Sequence, residues 1–274
     1  MNDARDTLVI DLETKKSFAE VGGERNIREL GISVAGVYSY LKDKFFAFEE
    51  HELAEVETML KTTDHVIGFN INHFDIPVLM PYLKEVTFDT IAVTDMFADA
   101  VEFLGHRVGL NALAQATLNA AKSGNGLEAL EWFKQGRIED VKKYCIQDVK
   151  ITRDLYEYGK KYGHVLFQSF VDQKQHSIPV RWGSHIKVPV RKILEDAFTQ
   201  RARLAIEYVS SADEEGLGFK KERLIDIYKI KKEEVEAYCH FRKGLRNFRI
   251  NRILKADPMA ETYVVPADVQ NSLF

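Results

Sequence analysis

Four carboxylates and one phenol carry the chemistry this sequence can offer: Asp11, Glu13, Asp75, Asp148 and Tyr144. The run Thr7-Leu8-Val9-Ile10-Asp11-Leu12-Glu13-Thr14 reads as a short buried strand whose exit carries an Asp-x-Glu pair. Side chains two apart on a strand share a face, so Asp11 and Glu13 stand side by side and repel unless a cation lies between them. Asp75 follows the apolar run His65 to Asn70 and precedes Pro77. It is either a helix cap or a third carboxylate delivered at the end of a strand. Asp148 interrupts an apolar stripe that includes Val141, Cys145, Val149 and Leu155, and Tyr144 lies one turn before it on the same face. An acid on a buried face is costly unless something compensates it. Carboxylate oxygens select hard cations, so the set suits two Mg²⁺ or Mn²⁺ ions, and no Cys/His set for Zn²⁺ accompanies it. Such ions support phosphoryl-type hydrolysis by acidifying a water and stabilising the departing oxygen, with Tyr144 orienting that water.

The elements that must position these groups alternate between strand and helix patterns. Residues 29–40 and 44–48 read as an antiparallel meander after the first strand, and 51–61 as an amphipathic helix. A strand at 65–70, another at 86–93, helices near 95–103, 109–118 and 126–134, and a longer helix from Ile138 complete the first part. Trp132 and Phe133 read as packing residues.

Of 274 residues, 45% are hydrophobic and 29% charged, ordinary values for a globular protein with one large or two modest domains. No apolar run approaches the length of a membrane span, and the polar start Met1 to Asp6 does not read as a secretory leader. The two cysteines, Cys145 and Cys239, are far apart and read as reduced thiols of a cytoplasmic protein. Charge is unevenly divided. Residues 1–180 hold 20 Lys+Arg against 28 Asp+Glu, and residues 181–255 hold 18 against 11. An acidic module followed by a basic one is expected, the second able to attract a polyanion.

Asp11-x-Glu13, Asn70 to Asp75 with Phe74 directly before the acid, and Tyr144-x3-Asp148 resemble the three ordered motifs of the DEDD 3′–5′ exonucleases. That superfamily has a ribonuclease H-like fold and includes ribonuclease D and polymerase proofreading domains. The resemblance covers residues 5–165. Position 143 is a lysine where the other subfamily has histidine, so the chain resembles the tyrosine type. The resemblance implies that Asp11, Glu13, Asp75 and Asp148 hold two Mg²⁺ or Mn²⁺ ions and that Tyr144 orients the water. It also implies contacts from Asn70, Phe74 and Leu113 to the substrate strand, although a core helix explains the leucines of 109–114 equally.

Residues 168–187 have little periodicity and suit a connector, in which Val180-Arg181-Trp182 could instead form a strand. From about Arg201 the pattern is all-β, with strands at 204–209, 220–230, 234–241 and 246–253 and a turn at 242–245. Arginines and aromatic rings are interleaved there, the mixture that holds phosphate and stacks bases. Residues 190–256 resemble the WYL domain, a small SH3/Sm-like β-barrel, with Glu234-Val235-Glu236 where the naming Trp-Tyr-Leu would be. The resemblance implies ligand contacts from Tyr208, Ser210, Arg223, His240, Arg242, Arg246 and Arg249.

The expected organisation is thus an α/β ribonuclease H-like domain (1–168), with a mixed central sheet flanked by helices, a connector (169–189) and a WYL-like barrel (190–274). The expected function is a two-metal 3′–5′ exonuclease acting on single-stranded nucleic acid, DNA somewhat before RNA. The alternatives are a non-catalytic nucleic-acid-binding regulator and a ribonuclease H-type endonuclease.

Overall fold

The computed structural model describes residues 5–120, 126–169, 173–183, 190–211 and 218–266. The chain divides into two compact units, Met1–Glu157 and Tyr158–Phe274.

In the first unit β1 (Asp6–Thr14), β2 (Ile32–Ser39) and β3 (Lys44–Glu49) form the expected antiparallel meander. After α1 (Leu53–Lys61), β4 (Thr63–Gly68) returns parallel to β1; α2 (Asp75–Leu79) follows, and β5 (Ala92–Asp95) lies parallel to β4. The strand order is therefore β3-β2-β1-β4-β5, a mixed five-stranded sheet. The helices α3 (Met96–Leu104), α4 (Leu110–Leu118), α5 (Gly126–Lys134) and α6 (Ile138–Tyr162) come after it. Residues 86–93 do not make the strand expected there: Phe88–Thr90 is one helical turn, and β5 begins only at Ala92.

The period of two on β1 decides where the site lies. Leu8, Ile10 and Leu12 enter the core shared with α1 and α2, so Asp11 and Glu13 face the other side. That side receives α6. All eight residues of β2 are buried because both its faces are covered, Ala35 and Val37 by the main core and Val34 by Val141 and Cys145 of α6. Gly36 permits the close approach: a Cβ there would stand 2.8 Å from both Cys145 Sγ and Val149 Cγ2. Gly36→Ala should therefore overpack this interface and destabilise the protein by about 1–3 kcal/mol. At Gly109 an added methyl meets nothing, and the alanine variant should melt near the wild-type temperature. Thermal denaturation of the two variants checks the contrast.

The second unit contains the hairpin β6 (His164–Gln168) and β7 (Gln175–Pro179), the helix α7 (Val190–Gln200) and an antiparallel sheet. The sheet strands are β8 (Ala202–Val209), β9 (Lys220–Ile230), β10 (Glu234–Cys239), β11 (Gly244–Arg249) and β12 (Ile253–Thr262), in the order β11-β10-β9-β8-β12. Val190, Leu194 and Ala197 of α7 pack on one face of this sheet with Leu204, Ile206, Ile225, Ile227 and Phe248. The hairpin, in a stretch with no evident periodicity, is fastened to the same unit. Ser177 donates its hydroxyl to the Ser210 carbonyl, and the buried Arg252 guanidinium bonds the Ser177 hydroxyl and the carbonyls of Ser177 and Val209. The turn expected at 242–245 sits two residues earlier. Lys243 adopts a left-handed φ of 50°, which lets Gly244 pair with Cys239 inside the ladder.

Candidate metal centre and nucleic-acid face

Three of the four expected carboxylates converge. Asp11 and Glu13 from β1 and Asp148 from α6 each offer an oxygen within 4.8 Å of the others, the only such group among the described residues. Glu13 and Asp148 are buried and Asp11 is half-buried, so three like charges are gathered where water screens them poorly. An all-oxygen donor set of this density fits a hard divalent cation. The Tyr144 phenol is buried beside them. Burial first, and then the charges of Asp148, Glu13 and Asp11, push its pKa far above the usual phenol value, so it remains a hydroxyl at any working pH. Trp132 packs edge-on against the Tyr144 ring at 6.1 Å. Cys145 backs the site: its thiol lies 3.3 Å from the Asp11 carbonyl, and burial and the surrounding acids keep it protonated.

Asp75 stands apart from that group. It opens α2, but the cap position is Phe74, and no side-chain bond caps the helix. Instead Asp75 Oδ1 accepts the Leu12 N–H at 2.9 Å, from the residue between Asp11 and Glu13. The acid therefore locks α2 to β1 directly behind the pair. Its pKa is raised to about 8, chiefly by burial and further by the charge of Asp95, against the pull of the Leu12 N–H. With the folded-state pKa above the unfolded value of 3.8, this group's stabilising contribution is complete below about pH 4 and is lost as pH rises through about 8. Metal-free protein should accordingly show a melting temperature that falls between pH 5 and pH 9, and Asp75→Asn should flatten that fall. Thermal melts in chelator across the range check it.

Asp95 is a structural acid that the motifs do not include. Its buried carboxylate accepts four backbone N–H groups, from Asn70 at 2.9 Å, Asn72 at 3.0 Å, Phe97 at 3.1 Å and Ala98 at 3.2 Å. It caps α3 and at the same time fixes the loop before Asp75, where Asn70 holds a left-handed φ of 66°. The sequence signal for it is an Asp immediately before a helical pattern. Phe74 packs on Phe18 at 6.1 Å, and Leu113 is fully buried, so its side chain forms part of the interior.

In the second unit the basic residues separate by face. The β10–β11 register pairs Arg246 with Ala237 and Arg249 with Glu234, three positions apart and so on opposite faces. Arg252 is buried in the hairpin contact described above. Tyr208 is partly buried against Phe248 at 5.2 Å, and the Ser210 hydroxyl is bonded to the Phe219 carbonyl. Two of the expected arginines do gather. The guanidinium of Arg223 lies 4.3 Å and that of Arg242 5.9 Å from the ring of Phe241, which is 56% exposed at the tip of the β10–β11 turn. His240 is instead drawn to Asp226, at 2.9 Å.

Residues 189–258 match the WYL domain. The WYL match takes in α7, β8 to β11 and the first half of β12, and so includes the Phe241 turn and both its arginines. No curated protein matches the chain. Among solved structures, proteasome accessory factor B/C (PafBC) of Arthrobacter aurescens is similar over 84% of this chain at 16% identity and a TM-score of 0.23. The chain covers 25% of the length of that protein. Among the described residues no helix is long and apolar enough to cross a membrane.

Proposed function

We propose that this protein is a nucleic-acid-binding enzyme, a divalent-metal-dependent 3′–5′ exonuclease joined to a WYL-type strand-binding module. The observation that carries the catalytic half is the convergence of Asp11, Glu13 and Asp148 within 4.8 Å beside the Tyr144 phenol. The order β3-β2-β1-β4-β5, with an antiparallel meander leading into parallel strands, supports a ribonuclease H-like reading of the first unit. The antiparallel five-stranded sheet and the WYL match support an SH3/Sm-like barrel in the second.

In this reading Asp11, Glu13 and Asp148 hold the cations, Mg²⁺ or Mn²⁺, and Asp75 fixes α2 against the metal-binding strand. Bound ions of this kind supply an acidified water and offset charge on the departing oxygen. Tyr144, held protonated, orients the attacking water by hydrogen bonding and does not act as the base. In-line attack at the terminal phosphodiester breaks the bond to the 3′ oxygen of the penultimate nucleotide and releases a nucleoside 5′-monophosphate. Phe241 between Arg223 and Arg242 offers a flat ring and two cations to a passing strand.

The WYL match by itself supports only nucleic-acid binding, so a non-catalytic regulator is the second reading. It is favoured by the position of Asp75 outside the three-acid group. Digestion of end-labelled single-stranded and duplex DNA and RNA in Mg²⁺, Mn²⁺ or EDTA decides between them. Stepwise loss from the 3′ end that EDTA abolishes supports the exonuclease, and intact strands in every metal leave the regulator. Cleavage of a circular strand would point to an endonuclease.

A further inference from the structure

The sheet of the second unit ends on two edge strands, β12 and β11, and they differ. β12 carries Pro258, and its register with β8 shifts twice; a proline and bulges are what ordinarily keep an edge from pairing. β11 has neither. Its six residues run alongside β10 without a shift, and among the described residues no strand lies on its other side. The backbone N–H and C=O groups of that side are a template for one more strand.

Two features decide what kind of strand fits. The first is charge. No acid occurs between Glu236 and Asp257, whereas Lys243, Arg246 and Arg249 stand exposed on or beside β11. Glu234, the acid opposite Arg249, is taken by Lys231 at 3.0 Å. The Arg246 guanidinium bonds the Leu245 carbonyl at 2.7 Å, which keeps its cation along the strand. The second feature is a cavity of about 440 Å³ that begins at the strand itself, for Gly244 and Leu245 line it together with Tyr228, Tyr238 and His240. The register puts Leu245 opposite Tyr238, on the cavity side, and Arg246 opposite Ala237, on the side of the core. Residues of an added strand alternate in the same way, one set over the cavity and the other beside Arg246.

We propose that β11 docks an extended acidic segment of a partner protein, which joins the sheet as a further strand, sets carboxylates beside Arg246 and places an apolar side chain in the cavity. In such an arrangement main-chain hydrogen bonds supply affinity and the pocket supplies selectivity. A second copy of this chain, paired β11 to β11, would set these cations against their own counterparts. A phosphate backbone would answer the cations, but it only accepts hydrogen bonds and has no N–H for the carbonyls of the edge.

The test is fluorescence anisotropy of the full chain with a fluorescein-labelled peptide, Glu-Ala-Glu-Phe-Glu-Ala. Neither metal nor hydrolysis enters it, so its outcome is independent of the nuclease reading. Methylating the peptide's backbone amides should weaken binding about tenfold or more, because the main-chain bonds are lost. Arg246→Glu should weaken binding about tenfold and should bind the peptide with Lys in place of Glu, which the wild type rejects. The cavity-filling Leu245→Trp should erase the advantage of the Phe peptide over one with Ala at that position. Both substituted residues are exposed, and unchanged melting temperatures establish that the variants fold. Equal binding of the methylated peptide overturns the proposal, as does Arg246→Glu that keeps its preference for Glu over Lys. Oligo(dT) that displaces the peptide and loses affinity in Arg246→Glu to the same extent gives the edge to nucleic acid and overturns it too. Self-association that excludes the peptide gives the edge to a second copy, with the same consequence.

Discussion

Asp148→Asn should reduce metal-dependent degradation from the 3′ end by at least a thousandfold while leaving the fold intact. The side chain is buried on α6 and faces Asp11 and Glu13, whose oxygens lie within 4.8 Å of its own. Asparagine keeps the volume and removes one of three crowded negative charges. The metal-free protein should therefore melt at the same temperature or higher, because the repulsion among the acids is relieved. With the ion's charge less well matched, binding weakens, and the loss of several kcal/mol of transition-state stabilisation corresponds to about three or more decades in rate. Opposite movements of melting temperature and activity would be hard to obtain from misfolding. Single-turnover digestion together with a calorimetric Mn²⁺ titration measures both. Wild-type rates in Asp148→Asn would refute the catalytic assignment outright.

Much of that centre is legible in the amino-acid sequence because its determinants are local. The alternation on β1 sets Asp11 and Glu13 on one face, and the four-residue step from Tyr144 to Asp148 sets both on one side of α6. What stays hidden depends on partners far away in the chain. Asp75 can be placed at a strand exit, but its bond to Leu12 N is a contact across 63 residues. Asp95 collects N–H groups from two segments, only one of which adjoins it in sequence. In the second unit α7 carries a helical stripe at Val190, Leu194 and Ala197, with Arg191–Glu195 and Lys192–Asp196 pairs one turn apart. The neighbouring Pro189 and the β-rich pattern from Arg201 mask that stripe and suggest a connector running straight into strands. The hairpin register turns on the left-handed residue at Lys243, a conformation that residue identity does not favour.

The arginines of the second unit show what spacing does and does not tell, and they yield the other large expected effect. Arg246 and Arg249, three apart on a strand, occupy opposite faces of the sheet as that spacing requires, whereas the buried contact of Arg252 is set by partners distant in the chain. Arg223 and Arg242, far apart in sequence, meet around the exposed ring of Phe241. A triple variant Arg223→Ala, Phe241→Ala and Arg242→Ala should lower affinity for single-stranded nucleic acid by about a hundredfold, combining one lost base stack with two lost phosphate contacts. The slope of log K against log salt should become shallower by about 1.4, from 0.7 for each of two cations. Arg252→Ala should do the reverse. Its guanidinium serves Ser177 and Val209 inside the protein, so the variant loses stability while the salt slope of whatever remains folded is unchanged. Fluorescence anisotropy at several salt concentrations, paired with thermal melts, separates a residue that meets the strand from one that holds the sheet. Should the triple variant keep the wild-type slope, the Phe241 turn does not meet phosphate, and the strand must cross another face of the unit.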